Sequence, residues 1–507
     1  MAQSPRILVR LTSLFFVLVA WGFLPQTLNA KTSFQRKNES STTGRPSYRT
    51  TKETVTNLAA QEKDWNVLVY IAGNNNLYRF VEPNLKQMEA VGSNKHLNIL
   101  CQVDQFGSNE MKRYEIHKNS RRTVWRTSDF SPQERRKNPL RYASGTPEGL
   151  ESFLEWAINT YPAKKQFLVL WNHGCGIIDP YRWGRLITEL HHTFFVTDPV
   201  TGQMKLNREE NIEEFIEGGK RGIAFNDSNS HFLTNQDLSV VLNNIRKKCP
   251  AFAPESPGGP RKKFDLIGMD ACCMANIEIG TQIRDQCDYL VSSQEVILGA
   301  GWNYKLTLDR ASKEDLSARA LAHEIIKAYE KEYMYITPDY TLSVSDFVSK
   351  ASNTNKPVFV LLEEKINTLA DLLITLMRGP MAGDVVKKLK EIRRKSTLST
   401  WFYDNNYIDL HHFLVSLQKG LRTTLNREAH GELLNALATT ITDARNLLKE
   451  AVPFFTAGSS FIGHPLPVRA RGLSIYLPTR IVHNSYERTL FAQNNAWAHF
   501  LSMFVRR

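Results

Sequence analysis

Leu168-Val-Leu-Trp-Asn-His-Gly174 and Phe264-Asp-Leu-Ile-Gly-Met-Asp-Ala-Cys-Cys273 are two apolar runs that each end abruptly in reactive chemistry. A short, uninterrupted apolar run reads as a strand buried on both faces, so each segment predicts a strand that delivers one catalytic group to a sheet edge. His173 follows the run Phe167 to Trp171 and is released by Gly174-Cys175-Gly176, a turn that glycines permit at little steric cost. Cys272 follows Leu266-Ile267 and is expected to open a helical stretch through Met274, Ile277 and Ile283. A thiol at a helix N-terminus sits in positive potential, which lowers its pKa, and a nearby imidazole can take its proton. Those are the conditions that make a cysteine a nucleophile.

Outward from these two segments, Val67 to Ala72, Leu97 to Val103 and Tyr289 to Ser293 are further strand-like runs, and helical stretches alternate with them. Thr146-Pro147 is a helix start, after which Leu150, Phe153, Leu154, Ala157 and Ile158 fall on one face. Alternation of this kind predicts an α/β sandwich with a mainly parallel sheet, here over residues 65–310. Residues 311–507 read as a mostly helical subdomain. Val358 to Met377 is rich in apolar residues, and Gly472 to Leu477 returns as a strand.

Residues 1–30 have the form of a signal peptide. Arg6 and Arg10 are its positive region, Leu11 to Leu24 its apolar core, and Leu28-Asn29-Ala30 its cleavage site. Export to the periplasm or the exterior is the expectation, with no stable membrane span once the segment is removed. Residues 31–64 are polar and nearly free of aliphatic side chains, which predicts a disordered leader. The net charge of +13 suits an anionic partner, yet runs such as Arg135-Arg136-Lys137 stop after three, so a solvated basic surface is expected and not a nucleic-acid site. Six cysteines in 507 residues form no disulfide framework and no C-x-x-C pair, so zinc ligation is not expected. Cys101, in the strand-like run Leu97 to Val103, reads as a core residue. Gly174-Cys-Gly-Ile-Ile-Asp179 begins like a dinucleotide loop, but Asp179 would repel a pyrophosphate, and His323-Glu-Ile-Ile-Lys327 lacks the second histidine of a zinc peptidase.

The two reactive segments resemble the clostripain family of cysteine peptidases, in the caspase-like clan. The resemblance extends, in order, through Trp65-Asn-Val-Leu-Val-Tyr-Ile-Ala-Gly-Asn-Asn-Asn-Leu77, Tyr161-Pro-Ala163, Gly301-Trp-Asn-Tyr304, Tyr407-Ile-Asp-Leu410 and Gly472-Leu-Ser-Ile-Tyr-Leu-Pro478. It implies a caspase-like α/β/α sandwich and an endopeptidase acting on protein or peptide substrates. It further implies a Cys272–His173 dyad without a third member, and an oxyanion held by the Gly174 and Cys272 N–H groups. The resemblance also implies that Cys273 is a core residue. Asp270 would then select Arg or Lys before the cut, and no cofactor is required, calcium entering by the resemblance alone. Three positions depart from the pattern. Ala300 stands where a second acid is common before Gly-Trp, Asn74 where an acid is common in the first loop, and Asn226 is a further substitution. These leave open a second reading, a peptidase-like binding protein that no longer turns over. The oligomeric state is not legible. Between the two segments, where the resemblance implies that relatives are cut, Asp179 to Gly222 is a polar stretch that reads equally as an ordinary insertion loop or as a point of self-processing. For the second, Lys205 and Arg221 are favoured, because Asn207-x-x-Glu210 has the form of a capping box that protects the helix after it.

Overall fold

In the computed structural model the apolar runs become the middle strands of a nine-stranded sheet. The described residues are 61–108, 110–177, 195–197, 199, 204–206, 223–352, 354–400, 406–423, 427–459 and 470–506. The signal segment, residues 31–60 of the leader, Arg221 and the Asn207-x-x-Glu210 box lie outside them.

In chain order the strands are β1 (Lys63–Gly73), β2 (Leu97–Gln105), β3 (Lys112–His117), β4 (Ser120–Arg126) and β5 (Ala163–Trp171). Short β6 (Phe195–Thr197), β7 (Met204–Leu206), β8 (Ile223–Asn226) and β9 (His231–Leu233) follow. Then come β10 (Phe264–Asp270), β11 (Cys287–Ser292), β12 (Thr341–Asp346), β13 (Tyr407–Asp409), β14 (Phe454–Ala457) and β15 (Ser474–Tyr476). The main sheet has the order β14-β12-β11-β10-β5-β1-β2-β3-β4. The five central strands, β2, β1, β5, β10 and β11, are parallel, and antiparallel pairs close both edges.

The period of two explains why the central runs are apolar without interruption. Leu68, Tyr70, Leu168, Leu170, Ile267 and Met269 enter the core on one face, while Val67, Val69, Phe167, Val169 and Leu266 enter the core on the other. The helix Pro147–Thr160 starts as expected, with Thr146 Oγ1 accepting from Gly149 N at 3.1 Å, and buries Leu150, Phe153, Leu154, Ala157 and Ile158. Parallel strands joined by such crossovers present their C-terminal ends along one edge, where α/β sheets place their chemistry.

The sheet runs on past residue 310, since β12 and β14 come from the chain beyond it. Ala59–Arg507 forms one compact unit. The stretch Val358 to Met377 is a helix, Val358–Arg378, whose Phe359, Leu362, Ile366, Leu369 and Leu373 are buried. The returning strand β15 does not join the main sheet but pairs antiparallel with β13. That ribbon docks where β10 gives way to the next helix, with Ser474 N donating to Ala275 O at 2.9 Å.

The helix Ile277–Ile283 carries Glu278 wholly inside the protein. Its Oε1 accepts from Tyr476 N at 2.9 Å and Tyr486 Oη at 3.2 Å, while Oε2 finds no partner among the described residues. Burial pushes this carboxyl up to about 7. Because the folded chain holds the proton more tightly than the unfolded one, stability falls as pH rises from the ordinary carboxylate range to about 7. Glu278→Gln is expected to gain on the wild type across that window, by on the order of 1–3 kcal/mol at pH 7.5 and almost nothing at pH 4. Urea unfolding of both proteins at the two pH values measures it, and a difference that does not change with pH contradicts it.

Candidate active site

β5, β10 and β1 end side by side, and each carries one polar element of the site. Beyond β5, Asn172 is buried and ties three strand ends together. It exchanges two 3.0 Å hydrogen bonds with the Phe225 backbone and donates to Ala72 O. This fixes the backbone that presents His173 next along the chain. The Phe225 ring stands edge-on to the imidazole at 6.4 Å. His173 Nε2 lies 2.6 Å from Asn76 Oδ1, in the loop after β1. Gly174 pairs with Ile223, and Gly176 turns the chain with φ +76°. The Tyr407 hydroxyl of β13 accepts from Ile177 N at 2.9 Å, in the place where any side chain at 176 would lie. A glycine is required there for both reasons.

Cys272 follows β10 by two residues, is partly exposed and does not open a helix. The helix after it starts at Ile277, capped by Asn276, whose side chain accepts from Ile279 N at 3.1 Å. Cys273 adopts φ +59°, and Cys273 N and Ala275 N donate to Glu295 O and Ser293 O at 3.2 and 2.8 Å. A left-handed residue bonded across to a neighbouring loop breaks the helical path, so the expected helix-end lowering of the thiol pKa does not arise. Instead burial pushes the Cys272 thiol up to about 12, and the nearby Glu295 and Asp270 charges act in the same direction. The hydrogen bonds at its sulfur come from backbone: Ile297 N–H at 3.3 Å, and Gly174 N–H. Burial alone pulls the half-buried His173 down to about 4. The resting pair is therefore a neutral thiol and a neutral imidazole, with no hydrogen bond between their side chains among the described residues.

Gly174, the residue expected to help hold an oxyanion, sits against Cys272. A side chain at 174 would lie 2.5 Å from Cys272 O and 2.9 Å from Ala271 Cβ, so only glycine lets its N–H approach the sulfur. Cys273 is 8% exposed and buried in the interior, as its reading as a core residue requires, and Cys101 packs its sulfur 3.6 Å from Met88 Sδ.

Asp270 is 4% exposed. Its Oδ2 accepts from Trp302 N at 3.0 Å and Tyr304 Oη at 2.9 Å, and its Oδ1 has no partner among the described residues. Burial pushes its carboxyl up to about 7. Gly301, at φ +66°, passes so close that a Cβ would be 2.6 Å from Oδ2. The segment Gly301-Trp-Asn-Tyr304 thus wraps one half of a carboxylate and leaves the other half unbonded. Ala300 beside it is exposed, and its carbonyl accepts from Asn84 Nδ2 at 3.0 Å.

The other two departures converge elsewhere. Asn74 and Asn226 donate to the two oxygens of buried Asp104 at 3.2 and 2.9 Å, and Ser144 Oγ donates to the same carboxylate at 2.8 Å. Neutral donors turned inward on one carboxylate do not make a calcium site, which needs six to eight oxygens facing the ion. Among the described residues no group of three or more His, Cys, Asp or Glu side chains could hold a metal ion.

Sequence reasoning missed Asn76, Ile297 and the role of Tyr407. The only local signal for the first was the run Asn74-Asn-Asn76 at the end of an apolar strand.

A mainly parallel sheet whose adjacent strand ends carry a cysteine and a histidine, with backbone N–H groups at the sulfur, has the caspase-like arrangement of a cysteine peptidase. The chain belongs to the clostripain family, whose model matches residues 69–185 and 213–502. Clostripain of Hathewaya histolytica is 22% identical over 279 residues, which cover 50% of this chain and 44% of that protein. The match thus spans under half the length of that relative. Among solved structures, a secreted C11 cysteine protease from Bacteroides thetaiotaomicron in complex with an irreversible peptide inhibitor matches with TM-score 0.51 and 17% identity, covering 88% of this chain and 100% of that one. An inactive zymogen C11 protease from Parabacteroides distasonis matches with TM-score 0.51 and 16% identity, covering 85% and 98%. At such identities these two structures share the fold with this chain. Among the described residues no helix is long and apolar enough to cross a membrane.

Proposed function

We propose that the chain is an exported cysteine endopeptidase that cleaves after Arg or Lys. The observation that carries this reading is the half-bonded, buried carboxylate of Asp270, two residues before a partly exposed thiol. A guanidinium or ammonium reaching Oδ1 would replace the proton that burial leaves on the acid, and a desolvated charge pair of this kind selects strongly.

Substrate then completes the chemistry. With the side chain before the cut seated on Asp270, the peptide carbonyl lies over Cys272. The thiol proton passes to His173 as sulfur attacks the carbonyl carbon, and Gly174 N–H and Cys272 N–H receive the oxyanion. The imidazolium returns that proton to the leaving amine, and water hydrolyses the acyl-enzyme. A neutral resting pair makes the enzyme quiet until substrate arrives, so iodoacetamide should label Cys272 slowly in the absence of substrate. Profiling the purified protein on a mixed peptide library tests the function, and cuts without an Arg or Lys preference would remove the specificity reading. No turnover of any peptide would leave the binding-protein reading standing.

Self-processing is the third expected result. Lys205 lies in β7, paired with Val196 of β6, and paired strands resist entry into a protease cleft. From Ile223 onward the chain is pinned, with Asp227 N donating to Asn74 O at 2.8 Å. Arg221 stands two positions before that anchor, so we favour cleavage there, leaving both products attached to one sheet. N-terminal sequencing of active enzyme should give a new chain beginning at Gly222, absent from Cys272→Ala. One intact chain in fully active enzyme would exclude it.

A further inference from the structure

We propose that Asn76 is the positioning residue of the active-site imidazole, holding the proton of His173 on Nε2 and so reserving Nδ1 for exchange with Cys272 and the leaving amine. This rests on the Cys272–His173 reading given above. An amide oxygen can only accept, so a 2.6 Å separation between Asn76 Oδ1 and His173 Nε2 places the hydrogen on that nitrogen. A neutral imidazole carries one N–H, and Nδ1 is then the atom with the lone pair.

The neighbours of Asn76 explain how an exposed residue can do this. Asn74 is committed to Asp104, and it also accepts from Ser228 Oγ at 2.7 Å. Asn75 is buried and pins the loop, its Nδ2 donating to Ala72 O and Phe225 O at 2.9 Å and its Oδ1 accepting from Leu77 N at 2.9 Å. The backbone on both sides of position 76 is therefore fixed, and the third asparagine of the run is the one turned to the histidine. Asn75 also bonds the same Phe225 carbonyl that Asn172 holds, so the loop bearing Asn76 and the turn bearing His173 share an anchor.

The proton account closes at each step. The Cys272 S–H bond breaks and its proton forms the Nδ1–H bond as sulfur bonds to the carbonyl carbon. Nε2–H stays on Asn76 throughout. When the C–N bond breaks, the Nδ1 proton passes to the departing amine and the imidazole is neutral again. Between those moments the ring is charged, and the bond to Asn76 becomes charge-assisted and stronger. An amide is suited to this because it steadies the imidazolium without fixing it, whereas a carboxylate would favour the charged ring at rest.

The experiment compares wild type, Asn76→Ala and Asn76→Asp for kcat, KM and the pH profile of kcat/KM, with a chloromethyl ketone carrying Arg to titrate the thiol. Asn76→Ala should lower kcat by about 10- to 100-fold with KM within about twofold, since general acid–base catalysis is worth about 10²–10⁴-fold and only its orientation is lost. Asn76→Asp keeps the acceptor, so it should recover part of kcat and move the acid limb of the profile to higher pH. Wild-type kcat in Asn76→Ala overturns the proposal. So does an equal loss in both variants with an unmoved acid limb, which marks a structural role. If wild type neither turns over peptide nor reacts with the ketone, the underlying Cys272–His173 reading falls and takes this proposal with it.

Discussion

Cys272→Ala and His173→Ala should each lower peptide hydrolysis by on the order of 10⁴-fold or more while leaving the fold intact, because removing one member of a nucleophile–base pair disables the unit. Neither side chain is fully buried in the core. Cys272 and His173 are each partly buried, and the Cys272 sulfur is bonded by backbone. Circular dichroism and thermal melts close to wild type, alongside the lost turnover, are the expected pair of measurements. Cys273→Ala should keep most activity. Turnover by Cys272→Ala at the wild-type rate would end the assignment, and the reverse pattern would move the nucleophile to Cys273.

Asp270→Asn is expected to remove most of the Arg/Lys preference, on the order of 2–5 kcal/mol for breaking a buried charge pair. The wild type should show the same loss without mutation at low pH. Burial pushes the Asp270 carboxyl up to about 7, so on the proposed reading a cationic substrate meets a carboxylate above that pH and must displace a proton below it. KM for an Arg peptide should therefore fall as pH rises from 5.5 to 8, KM for a Leu peptide should not, and Asp270→Asn should abolish the difference. Ala300→Asp, one residue from the glycine that crosses Asp270, should raise cleavage after Arg relative to uncharged residues. A wild-type preference for uncharged residues, unmoved by Asp270→Asn, would show that the pocket lies elsewhere.

The central strands were legible because a parallel strand covered on both faces has no polar alternation to disguise it, and β5 and β10 end within the segments that announced them. Other features were hidden for identifiable reasons. The hairpin β3–β4 is dense in charge and half-exposed, and its buried Arg113 is accommodated by Trp125 stacking at 4.4 Å and Gln102 bonding at 2.9 Å. The helix expected from Cys272 starts later because Cys273 takes a left-handed backbone without a glycine to signal it. Asn76 and His173 are 97 residues apart, and Tyr407 and Ile177 are 230 apart, so local periodicity could not pair them. The departures Asn74 and Asn226 made sense only once both were found on Asp104.

The ribbon of β13 and β15 has a consequence for the birth of the enzyme. Ribosomes make the chain from its N-terminus, so the thiol at 272 exists long before Ser474 is available to bond Ala275, before Gly472 N can donate to Gln294 Oε1 at 3.0 Å, and before Trp497 Nε1 can reach Tyr476 O at 2.9 Å. The turn that follows Cys272 is buttressed by residues synthesised well after it. A nascent chain that has not yet reached Ser474 therefore holds both His173 and Cys272 without the contacts that fix the turn after Cys272.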